Sequence, residues 1–146
     1  MKLAVIVPLY NRQRMIVPAI RSLLRQSDAA DLDIIVVDDG STDESATVVR
    51  DIAQKERCVR LISQKNMGVT GARNTGLKNL SDDTKLVTFL DSDDISPAGR
   101  IAKRSAIPAC MIGNARSAAR NAARWPAVSP SKHNTGSRTT RHKSLR

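Results

Sequence analysis

Aromatic residues are nearly missing from this 146-residue chain: Tyr10, Phe89 and Trp125 are the whole set. Cysteine is almost as scarce. Cys58 and Cys110 are too few and too far apart for a disulfide framework or a metal knuckle, so a reducing, cytoplasmic setting is expected. No apolar run approaches the ~20 residues needed to cross a bilayer. The opening run Met1–Pro8 is short, and Asn11-Arg12-Gln13-Arg14 stands where a signal peptide would carry its small-residue cleavage site. Acidic residues are absent after Asp94, which divides the chain more sharply than any other feature.

The net charge of +10 follows from that division. Residues 1–105 hold 16 Lys+Arg and all 14 Asp+Glu, whereas residues 106–146 hold the other 8 basic residues and no acid. A basic arm of this kind attracts polyanions through salt-sensitive, non-specific contacts. It carries one aromatic, Trp125, and so lacks the interleaved stacking residues of a nucleic-acid module. No specific nucleic-acid partner is expected.

The first hundred residues show an ordered pattern. Leu3–Leu9, Ile34–Val37 and Leu86–Leu90 are short apolar runs without alternation, and Val59–Ile62 is a weaker fourth. Such runs suit strands buried on both faces of a parallel sheet. Between them, Ile16, Ala19, Ile20, Leu23 and Leu24, and then Ser45, Val48, Val49, Ile52 and Ala53, recur at helical spacing. Ser41-Thr42-Asp43-Glu44 reads as a capping box before the second helix, with Ser41 and Glu44 satisfying each other's N–H groups. The alternation predicts a doubly wound α/β sheet over 1–104. Residues 105–146 form an Ala/Arg/Ser-rich tail, with a short helix near 115–124 marked by Arg116, Arg120 and Arg124 and irregular chain over 126–146. The abrupt change in composition predicts a truncation scar or a shifted reading frame.

Ligands of open parallel sheets bind beyond the carboxyl ends of the strands. Three polar clusters fall there: Tyr10-Asn11, Asp38-Asp39-Gly40 and Asp91-Ser92-Asp93-Asp94. In extended chain, Asp91 and Asp93 project to one side. Their mutual repulsion is relieved by a cation, and a hard ion such as Mg²⁺ or Mn²⁺ accepts one or two carboxylates with phosphate oxygens. The stretch from Asn66 to Gly76 is a glycine-containing loop running into a short helix, where backbone N–H groups and Arg73 suit phosphate. It matches neither G-x-G-x-x-G nor a Walker loop. Arg12 and Arg14 read as a solvated helix entrance, with phosphate contact the lesser alternative. Cys58 reads as a half-buried small apolar residue.

Four motifs occur in order: Val7-Pro8-Leu9-Tyr10-Asn11, Val37 to Asp43, Asn66-x-Gly68-x-x-x-Ala72-Arg73-Asn74-x-Gly76, and Phe89 to Asp94. Together they resemble the N-terminal half of a family 2 glycosyltransferase of the GT-A fold over about residues 1–104. The resemblance implies inverting transfer of a sugar from a nucleotide-diphosphate donor, a UDP-sugar by expectation, with Mg²⁺ or Mn²⁺. It implies that Pro8 and Tyr10 border the nucleoside and that Asp39 accepts hydrogen bonds from the base. Gly68 and Arg73 belong to a loop closing over the nucleotide, Asp91 approaches ribose or metal, and Asp93 is the principal metal ligand. The acceptor, a glycan or a lipid-linked sugar, is not legible, and peripheral association with the inner membrane face is an implication of the family alone. The general base and acceptor half belong downstream, where this chain has no acid, and neither His133 nor His142 stands in a motif that would replace it. An incomplete enzyme is therefore expected, with a non-catalytic nucleotide-sugar-binding remnant as the alternative. Asp91 also resembles the nucleophile of haloacid-dehalogenase-like phosphatases, a reading that lacks its later acidic ligands.

Overall fold

A computed structural model describes residues 1–106. The expected helix near 115–124, the irregular stretch 126–146, and Cys110, Trp125, His133 and His142 lie outside the described residues. The elements run β1 Lys2–Leu9, α1 Ile16–Leu24, a 3-10 turn Ser27–Ala29, β2 Asp31–Asp38, α2 Ser45–Lys55, β3 Val59–Ser63, α3 Gly68–Lys78, β4 Thr84–Phe89 and α4 Arg100–Ser105. The four strands form one parallel sheet in the order β3-β2-β1-β4. Because every pair is parallel, all carboxyl ends share one edge.

Strand alternation divides the interior into two layers. Leu3, Val5, Val7 and Leu9 of β1, with Ile34 and Val36 of β2, meet Ile16, Ala19, Ile20 and Leu23 of α1 and Val49 of α2. Ala4, Ile6, Ile35 and Val37 point the other way, against Ala72 of α3. Helices on both faces make the sheet doubly wound, as the uninterrupted apolar runs predict.

Pro8 lies inside the central strand, where a missing N–H is normally excluded. The register explains it. Ile6 C=O accepts from Leu90 N–H on the β4 side, and β4 ends opposite Ile6. Pro8, two residues on, faces that same side beyond the end of β4, while its other neighbour is Val37. No ladder hydrogen bond is lost, and the gap beside Pro8 opens the crevice described below.

Three local expectations are corrected. The capping box does not form: α2 starts at Ser45, and the Ser41 hydroxyl accepts from Asn11 N–H. Asp43 takes over, its Oδ1 accepting from Ser45 N–H at 3.0 Å. The glycine-rich stretch is helical from Gly68 onward, so only residues 64–67 form loop. α3 is an eleven-residue helix, longer than expected. Finally, Asp91–Asp94 is a turn closed by Asp94 N–H to Asp91 C=O, at 3.0 Å, rather than extended chain.

The stretch after this turn was not marked as structured by its sequence. Ser96 N–H donates to Ser22 Oγ at 2.8 Å, Gln26 Nε2 reaches both Ser96 oxygens, and Gln26 Oε1 accepts from Ile101 N–H. Ile101 is fully buried in the α1 layer. The turn bearing Asp91 and Asp93 is thereby anchored to α1. No described helix is long and apolar enough to cross a membrane.

Candidate functional site

At the carboxyl edge of the sheet lies a cavity of about 360 Å³, within the range of small-molecule sites. Pro8 and Tyr10 from the end of β1, Asp39 from the end of β2, Gly68 from the start of α3, and Asp91 and Asp93 from the turn after β4 all line it. Arg12, Asn66 and Val69 also line it. Six of the seven residues singled out in the sequence thus converge on one cavity.

The β1 and β2 loops are locked together. Asn11 adopts φ +49°, a left-handed conformation that Asn tolerates better than most residues. Its Oδ1 accepts from Thr42 N–H at 2.8 Å, and its own N–H donates to Ser41 Oγ at 3.0 Å. Arg12 N–H donates to Ser45 Oγ at 2.9 Å, and Gln13 N–H to Asp43 Oδ2. Hydrogen bonds from the hydroxyl and N–H of Ser45 hold the Asp43 carboxyl below its ordinary range. Tyr10, half-exposed at the cavity mouth, is therefore carried on a fixed backbone.

Asp39 is 3% exposed. Its Oδ1 accepts from Gln64 Nε2 at 2.7 Å and from Met67 N–H at 2.8 Å. Both donors engage one oxygen, which orients the carboxylate. Gly40 follows at φ +76°, and a Cβ there would stand 3.1 Å from Asn66 N. Glycine thus permits both the turn and the close approach of the 64–67 loop.

Asp91 and Asp93 are each half-exposed and each has its own arginine. Arg73 Nη2 donates to Asp91 Oδ1 at 2.8 Å, and Arg12 Nε stands 3.7 Å from Asp93 Oδ2. Arg73 also lies over the Phe89 ring, 5.5 Å from its centroid. Its Nε is buried without a hydrogen-bond partner. Arg73 is thus placed behind Asp91, whereas Arg12, read from sequence as a solvated helix entrance, belongs to the cavity wall. Its position just past a strand end was the available signal.

Among the described residues no group of three or more His, Cys, Asp or Glu is arranged to hold a metal ion. Asp91 and Asp93 offer hard oxygens at the cavity, which fits a Mg²⁺ or Mn²⁺ ion whose remaining ligands come from phosphate and water.

The model of glycosyl transferase family 2 matches residues 4–104. The glycosyltransferase GlyA of Streptococcus pneumoniae is 40% identical over 93 residues, which are 64% of this chain and 13% of that protein. The crystal structure of Staphylococcus aureus TarS 1–349 in complex with UDP-GlcNAc superposes with a TM-score of 0.65 at 31% identity, over 73% of this chain and 30% of that one. The mannosyltransferase PcManGT of Pyrobaculum calidifontis, in complex with GDP-Man and Mn²⁺, gives a TM-score of 0.59 at 29% identity, over 66% of this chain and 28% of that one. The chain therefore spans less than a third of the length of each of these proteins.

Proposed function

The chain belongs to glycosyl transferase family 2, and from that premise we propose that residues 1–106 form the donor-binding part of an inverting glycosyltransferase. The donor is a nucleoside diphosphate sugar, with UDP as the preferred carrier. The observation that carries this reading is the convergence of Pro8, Tyr10, Asp39, Gly68, Asp91 and Asp93 on one cavity. The nucleotide sugars held by the two structural neighbours support it.

In this reading Tyr10 and Pro8 flank the base. Asp39, oriented through Oδ1, presents Oδ2 to a base N–H. The Gly68 backbone allows the nucleotide to approach closely. Asp91, held by Arg73, faces the ribose or the metal, and Asp93 is the main ligand of Mg²⁺ or Mn²⁺. When bound, that ion neutralises the charge developing on the departing diphosphate. Acceptor binding, to a glycan or a lipid-linked sugar, and base catalysis are assigned to no residue of this chain.

A thermal melt of the full chain with UDP, GDP or dTDP, each with and without Mn²⁺, tests the proposal. Saturation at 100 times the dissociation constant stabilises a fold by about 2.7 kcal/mol, a rise of roughly 10 °C or more for a domain near 100 residues. UDP with Mn²⁺ is expected to give the largest rise. A transition that no nucleotide moves, or that moves equally without Mn²⁺, contradicts the reading.

A further inference from the structure

The carboxylates of Asp91 and Asp93 are held by two arginines in different ways. Arg73 is fixed: it makes a 2.8 Å hydrogen bond to Asp91, lies over Phe89 and buries its Nε. Arg12 is loose. Its Nε stands 3.7 Å from Asp93 Oδ2, beyond hydrogen-bond length, and about half of its side chain is exposed. Its backbone is anchored through Ser45 Oγ and the Asn11–Thr42 contact, while its side chain makes one long hydrogen bond, Nη1 donating to the C=O of the adjacent Asn11 at 3.3 Å.

Among the described residues lining the cavity, Arg12 is the one basic side chain. An anionic ligand entering there meets Asp39, Asp91 and Asp93; Arg73 is outside the lining and already engaged by Asp91, which leaves Arg12 as the guanidinium facing the ligand. We propose that Arg12 is a diphosphate-binding residue, and that it pairs with Asp93 only while the donor is absent. This rests on the nucleotide-sugar reading above and adds a residue and an order of events to it. Arg12 and a divalent cation compete for Asp93. A cation taking Asp93 releases the guanidinium, whose planar fork suits two phosphate oxygens. The fixed backbone at Arg12 keeps the released side chain at the cavity mouth.

The test compares the full-length chain with Arg12→Gln and Arg12→Lys. UDP and uridine are titrated by calorimetry with Mg²⁺, and Mn²⁺ alone is titrated by electron paramagnetic resonance of the free ion. A thermal melt checks that each variant folds, which a half-exposed side chain makes the expected result. In Arg12→Gln, UDP should bind about tenfold more weakly, or worse, through loss of a charge-assisted hydrogen bond, with uridine affinity unchanged. Mn²⁺ alone should bind about two- to fivefold more tightly, as expected when a weak competing ion pair is removed. Arg12→Lys should recover part of the UDP affinity. Equal losses for UDP and uridine would show a structural role and overturn the proposal. Unchanged UDP affinity would overturn it as well, whatever Mn²⁺ does. If the parent chain binds neither UDP nor uridine, the donor reading itself has failed and the diphosphate role falls with it. The Mn²⁺ titration then still judges the competition at Asp93, and unchanged Mn²⁺ affinity in Arg12→Gln overturns that too.

Discussion

The carboxylate of Asp39 receives Gln64 Nε2 and Met67 N–H on a single oxygen. Replacing Asp39 with Asn retains an acceptor for both donors while turning the second oxygen into an NH₂ group. The fold should therefore survive, while a ligand N–H that had faced an oxygen now faces another donor. UDP affinity measured by calorimetry should fall at least about tenfold, with little change in the melting transition. Asp43 behaves differently because its partners are internal. Its carboxyl lies below the ordinary 3.8, first through hydrogen bonding to Ser45. A lowered carboxylate stabilises the fold above its unfolded value and loses that contribution as pH falls through the folded value. An NMR titration should find Asp43 ionising below 3.8, and Asp43→Asn should flatten the acid limb of the stability profile. Single residues were legible where they follow a strand end, as with Tyr10, Asp39 and Asp93. Ser41 was misread because its role depends on a partner from another strand's loop. Ser41 is claimed by Asn11, thirty positions away.

Elements were legible where burial is two-sided. Apolar runs revealed β1 and β2 most clearly because strands covered on both faces leave no polar alternation to confuse them, whereas the edge strands β3 and β4 are only partly buried. α3 was underestimated because Gly68, Gly71 and Gly76 disfavour a helix by propensity, and packing overrides that preference. A Cβ at Gly76 would stand 2.5 Å from Ile6 Cγ2, so glycine lets α3 lie close on β1. Gly76→Ala should accordingly destabilise the chain by about 1–3 kcal/mol through overpacking, despite the better helix propensity of alanine. Chemical denaturation checks this, and a stabilised variant would show that α3 does not seat on Ile6. α4 escaped the sequence reading for a related reason. Its approach is made by hydrogen bonds among Ser22, Gln26 and Ser96, with Ile101 as the apolar anchor, and no periodicity announces such a contact.

At the scale of the molecule, the two ends of the sheet have separate tasks. The amino edge is tied by Arg60, which reaches both oxygens of nearly buried Asp33 at 2.8 and 2.7 Å, and by Ser81 Oγ on Asp33 Oδ2. This pair joins β2 to β3, and the sequence did not show it because it depends on strand register. Arg60→Ala leaves a nearly buried carboxylate with the Ser81 hydroxyl but without its charged partner and should cost about 1–3 kcal/mol, read as a lower denaturation midpoint at unchanged slope. UDP affinity should not change, because the cavity lies at the opposite edge. The family model matches residues 4–104, and the structural neighbours share the fold of this segment. What the chain binds is tested most directly by where a ligand perturbs it. In a ¹⁵N-labelled full-length chain titrated with UDP and Mg²⁺, shifts should gather at the amides of residues 10–12, 39–41, 66–72 and 91–93. Shifts gathered instead around Asp33, Arg60 and Ser81, or spread over the basic residues beyond 106, would contradict the assignment of a nucleotide site to the carboxyl edge.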